Sequence, residues 1–133
     1  MNIVVMDDQI LLFLCGLHSL AVGVFHLFFW KILRWKTELA KLGVINRGVM
    51  QIMNVQLIFM LIAFGSACFY FGDTLNDTPV GRFLLGAIAA FWVVRVVQQF
   101  IFLKQNHWAM HVLTVVFAMG AVLFGWAAFI VTG

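Results

Sequence analysis

A few side chains in this 133-residue chain carry groups that can bind or react: His18, His26, Gln51, Asn54, Arg95, Gln98, Gln99, His107 and His111. Each sits within, or at the mouth of, a long apolar run. His107 and His111 are four residues apart, which puts both imidazoles on one face of a helix. With His26 they form a candidate metal set. Paired imidazoles from His26 and His111 could also ligate a haem, with Arg95 on a propionate. The Glu of an H-E-x-x-H zinc site is missing, and no apolar run contains a carboxylate. Arg95 suggests different chemistry. It stays charged and has no acid in the runs to neutralise it. Either water must reach it or an anion must bind it, such as a lipid phosphate or a small carboxylic acid.

Other chemistries find no footing. Ser19, Ser66 and Thr114 have no acidic orienter in the runs to complete a nucleophile, base and acid set. Gly-rich phosphate loops are absent. A proton-coupled transporter normally carries an intramembrane Asp or Glu. Cys15 and Cys68 lack metal-ligand spacing and read as small packing residues. Nothing here requires catalytic turnover.

The elements that position these residues follow from composition. Hydrophobic residues make up 65% and charged residues 10%, against roughly 45–50% and about 25% in soluble domains. Mean hydropathy is +1.08. A soluble fold of this size needs more polar surface than that. Four apolar runs, 10–32, 49–71, 83–103 and 108–131, each match the roughly 20 residues that cross a bilayer. In lipid each must be a helix, because its amides have to pair within the segment. Period-two alternation is lacking, which excludes a β-barrel. The first run is an anchor rather than a signal peptide, since Asp7 and Asp8 stand where positive charge belongs.

Net charge is +3 and the pI about 9.2, but the bases do not point to nucleic acid. Five of eight (Lys31, Arg34, Lys36, Lys41, Arg47) lie in the loop 31–48, which marks that loop as cytoplasmic. Both termini are then outside. Trp30, Trp35 and Trp108 would form an aromatic belt at the inner boundary. Leu33, Trp35, Leu39 and Leu42 fit either a basic amphipathic helix on the inner leaflet or a continuation of the first helix. Gly43 suits a stop, and Asn46 a cap for the second helix.

At ~1.5 Å per residue, His26, Asn54, Arg95, Gln98, Gln99 and His111 all lie about 5–12 Å in from the basic end. His18 alone is near the midplane. Helical spacing assigns faces. On the first run Cys15, Ser19, Val22 and His26 share a stripe, with His18 beside it. On the second the stripe is Arg47, Gln51, Asn54, Ile58, Leu61 and Gly65; Gln56 points away and suits a subunit contact. On the third it is Ile88, Trp92, Arg95 and Gln99, with Gln98 adjacent. On the fourth it runs His107, His111, Thr114, Ala118, Ala121, Gly125, Ala128, a small face suited to close packing.

The expected protein is a single all-α integral membrane domain, 1–133. It is an up-down bundle of four transmembrane helices, N-out and C-out, in a bacterial inner membrane. A cytoplasm-facing polar pocket of Arg95, His26, His111, Gln51, Asn54, Gln98 and Gln99 would bind an anionic or amphipathic ligand such as a lipid head group. One alternative is a haem- or metal-binding redox protein using His26 and His111, with His107 a further candidate ligand. The other is an accessory subunit of a larger membrane complex. The expected partners are the bilayer, an anionic lipid or small acid, and a second copy or larger assembly, with no nucleic acid.

Overall fold

The computed structural model describes residues 2–104 and 106–129, with side chains from residue 9 onward. Among them, seven α-helices and one 3₁₀ turn account for the regular structure. They are α1 (Asn2–Leu27), α2 (Phe29–Ile32), α3 (Trp35–Glu38), the 3₁₀ turn Leu39–Lys41, α4 (Val44–Tyr70), α5 (Gly72–Asp77), α6 (Pro79–Phe102) and α7 (Trp108–Phe129). Four of these, counting α1 from Gln9, are long and apolar enough to cross a membrane. Asp7 and Asp8, with the end of the fourth span at 130–131, lie outside the described side chains.

The helix ends have local causes. α6 starts at Thr78, whose Oγ1 accepts from the Gly81 N–H at 3.0 Å. Pro79 follows at the first helical position, where its missing N–H has no partner to lose. Gly81 is required there: a Cβ would come within 2.3 Å of the Leu75 backbone on α5. α7 is capped by His107, whose Nδ1 accepts from the Ala109 N–H at 3.1 Å. At α4 the expected cap is displaced. Gly43 takes the cap position and its carbonyl receives Arg47 N–H at 2.9 Å, while Asn46 lies inside the first turn.

The first span ends earlier than its apolar run. α1 stops at Leu27, and Phe28 (φ −92°, ψ 7°) turns the chain into the single turn of α2. Arg34 then adopts a left-handed conformation at φ 52°. Neither expected form of the loop, one amphipathic helix or a continuation of α1, is realised. The reversal folds Trp35 (5% exposed) and Leu39 (2% exposed) inward, with Trp35 edge-on to Phe29 at 5.6 Å. A left-handed non-Gly residue costs about 1–2 kcal/mol. Burying one large apolar side chain returns about 1.5–3 kcal/mol, so two outweigh it. Trp30 and Trp108 stay exposed, as an aromatic belt requires, but Trp35 does not.

Packing is sequential, with α4 against α1, α1 against α7, and α7 against α6. Residue pairs across α1/α4 (His26 with Asn54, Gly16 with Gly65) and α6/α7 (Gln99 with Met110, Gly86 with Phe129) run antiparallel. α1 is the most enclosed of the long helices, and α4 the least. Gly16 and Gly65 let α1 and α4 cross closely: a Cβ on either would sit 3.0–3.1 Å from the other's carbonyl oxygen. Three predicted faces are the ones that pack. On α1, Cys15, His18, Ser19, Val22 and His26 are buried; on α4, Asn54, Leu61 and Gly65; on α6, Ile88, Trp92 and Gln99. On α7 the buried residues are Phe117, Gly120, Phe124, Ala127 and Ala128. Ala128 belongs to the expected small stripe, but the rest of this face is rotated from that stripe by one residue, about 100°, and Ala118, Ala121 and Gly125 are half-buried. Two phenylalanines bury far more apolar surface than that stripe can. Phe117 stacks on Trp92 at 5.6 Å and 15°, and Phe124 meets His18 at 6.5 Å.

Candidate functional site

The polar residues of the long helices first act as clamps between helices. Asn54 Nδ2 donates to the His26 carbonyl at 3.2 Å, joining α4 to α1. That carbonyl belongs to the last turn of α1, where backbone acceptors have no partner within the helix. His18 Nε2 lies 2.9 Å from the Val116 carbonyl, joining α1 to α7. The carbonyl can only accept, so Nε2 carries the hydrogen there. Gln99 Nε2 donates to the Met110 carbonyl at 3.2 Å, joining α6 to α7. Each such bond contributes about 0.6–2 kcal/mol in a membrane bundle.

The His18 junction was not legible as a site, because its partners are a carbonyl and a glycine. His18 packs edge-on against Trp92 at 5.0 Å and 87°. Both rings press on Gly120, where a Cβ would meet His18 Cε1 at 2.6 Å and Trp92 Cγ at 2.9 Å. His18 Nδ1, Ser19 Oγ, Trp92 Nε1 and Asn54 Oδ1 are sealed without a hydrogen-bond partner.

Arg95 stands apart from the clamps. It is half-buried, and its Nη1 donates to Gln99 Oε1 at 3.1 Å. Its guanidinium carbon lies 4.4 Å from the centre of the Phe117 ring. The same Gln99 amide donates to Met110, so its orientation is fixed and its oxygen is held toward the arginine. Gln99 is only 2% exposed. These contacts position the cation without neutralising it. Among the described residues the ion pair is Lys41–Glu38, an exposed pair in the 31–48 segment. None of the Arg95 nitrogens is both sealed and unpartnered.

His26 is buried near the end of α1. Its Nδ1 donates to the Val22 carbonyl at 2.8 Å, and its ring lies on Phe29 at 4.3 Å. Nε2 is therefore the acceptor nitrogen of the neutral ring, and it is not among the atoms sealed without a partner.

The other expected site residues scatter. Gln51 is half-buried and donates to its own helix, at the Arg47 carbonyl 3.2 Å away. Gln98 is exposed, about 100° around α6 from the buried Gln99. His111 is exposed and pairs with Asn106 Oδ1 at 3.0 Å. His107 is engaged in capping α7. Among the described residues no three His, Cys, Asp or Glu side chains gather closely enough to hold a metal ion. His26, His107 and His111 are thus not brought together as a ligand set. Cavities of about 420 Å³ and 730 Å³ lie at the opposite end of the bundle, beside the α4–α5 junction and between the start of α6 and the end of α7. What the geometry assembles at the basic end is a half-buried cation and its supporting amide. Comparisons with protein-family models, curated proteins and solved structures found no match.

Proposed function

We propose that the chain is a four-span membrane protein whose basic end faces the cytoplasm and holds the phosphate of an anionic lipid on Arg95. The observation that carries this reading is the state of Arg95. It is half-buried against Phe117, hydrogen-bonded to a neutral amide, and paired with no carboxylate among the described residues. A guanidinium with donors to spare matches phosphate oxygens. Trp30 and Trp108, with Lys31, Lys36 and Lys104 in the same end of the chain, suit the level of lipid head groups. Arg95 is the binding residue, Gln99 orients it, His26 has its N–H committed to the Val22 carbonyl, and His111 lies at the rim. Gln98 points elsewhere, and Gln51 and Asn54 serve the helices.

The test is native mass spectrometry of detergent-solubilised wild type and Arg95→Gln. Wild type should carry a bound species of phospholipid mass that the variant has lost. A small acid lost in the same way would keep the anion site and replace its occupant. Equal adducts on both proteins, or none on wild type, would overturn the site.

A further inference from the structure

We infer that α4 forms a twofold-symmetric dimer with α4 of a second copy, held at its centre by Gln56. The proposal rests on the membrane-spanning reading and is independent of the Arg95 site. Gln56 follows Asn54 by two residues, so it projects about 200° around the helix from the face that packs on α1. It is exposed, and its amide has no hydrogen-bond partner. Within the apolar run 49–71 it lies seven residues from the basic end and 15 from the other, about 11 Å and 23 Å along the axis. No glutamine reaches water across that distance. Gln98 is also exposed, but it lies only four residues from the end of α6 and can reach the interface. Gln56 is therefore the outward amide for which the bilayer offers no partner.

The surrounding pattern identifies the partner. Ile45, Val49, Ile52, Gln56, Phe59 and Ala63 alternate at spacings of four and three, and all are exposed. This is a heptad seam, the repeat by which two helices pack along their length. One polar residue in such a seam fixes register and oligomer state. Two copies inserted with the same topology place their α4 helices parallel and both Gln56 side chains at one depth. A carboxamide carries donor and acceptor together, so two glutamines across a twofold axis satisfy each other. An isologous interface of this kind closes on itself. α4 is free for it, because within the chain its long neighbour is α1.

The experiment uses the full chain in phosphatidylcholine–phosphatidylglycerol vesicles. Dimer fraction is read by energy transfer between labelled copies as lipid dilutes protein. Wild type should show a dilutable dimer. Gln56→Leu, a change on an outward face that leaves the fold intact, should weaken it at least about 3- to 30-fold, the factor equivalent to one interhelical hydrogen bond. Gln56→Asn should restore most of the affinity, and Arg95→Gln should leave it unchanged. With Cys15 and Cys68 buried, oxidation should cross-link Phe59→Cys but not Val97→Cys on α6. Wild type monomeric at every dilution, Gln56→Leu as tight as wild type, or equal cross-linking at the two positions would each overturn the proposal. Loss of the dimer in Arg95→Gln would overturn its independence from the anion site.

Discussion

Gly120→Ala isolates the junction of three helices with a single methyl group. The new Cβ would lie 2.6 Å from His18 Cε1, 2.9 Å from Trp92 Cγ and 3.0 Å from His18 Nε2. Neither ring can step aside freely. His18 is tied to the Val116 carbonyl, and Trp92 is stacked on Phe117. Overpacking of this kind costs about 1–3 kcal/mol, and a strained or broken His18 hydrogen bond adds about 0.5–1.5 kcal/mol. Against this, Ala is about 1 kcal/mol better than Gly in a helix. The net expectation is destabilisation by about 1–3 kcal/mol. Gly125→Ala, one and a half turns along α7, supplies the control. Its nearest neighbour would be Ala89 Cβ at 3.9 Å, ordinary contact. Only the propensity gain remains, so this variant should be neutral or more stable by up to about 1 kcal/mol. Equilibrium unfolding by SDS in mixed micelles, followed by tryptophan fluorescence, reads both. Equal midpoints for the two variants, or a wild-type midpoint for Gly120→Ala, would refute the packing argument.

Two further expectations use the same assay. Asn54→Leu removes the clamp on the α1 carbonyl and should destabilise by about 0.6–2 kcal/mol; an unchanged midpoint would show that the α4–α1 bond at His26 contributes nothing. Arg34→Gly should stabilise by about 1 kcal/mol, since glycine accepts φ 52° without the left-handed penalty. A loss of stability there would mean that the guanidinium, and not the backbone, matters at the turn.

The four long helices and the packed faces of three of them were readable, because hydropathy and a 3.6-residue period are properties of the chain itself. Asn54, Leu61 and Gly65 on α4 share a face whatever α4 meets. The face of α7 was not readable, since small residues and phenylalanines compete for burial and the outcome depends on Trp92, which lies on another helix. The end of α1 at Leu27 was hidden for a related reason: Phe28 to Ile32 continue the apolar run, and the gain that ends the helix comes from Trp35 and Leu39 further along. The common depth of Arg95, Gln99 and His26 followed from counting residues. Their orientations did not. Gln98 and Gln99 differ by one position and point to opposite surroundings. The capping role of His107 needed the exact first residue of α7, which periodicity does not supply.

The claim that matters most is that the Arg95 guanidinium meets a phosphate. Solid-state NMR on the protein in phosphatidylglycerol-containing vesicles can read this contact directly, as dephasing of ¹⁵N-arginine side-chain signals by lipid ³¹P. A phosphate held on Arg95 gives a strongly dephased arginine signal in wild type that is absent from Arg95→Gln, with the remaining arginine signals unchanged. Identical dephasing in the two proteins would contradict it.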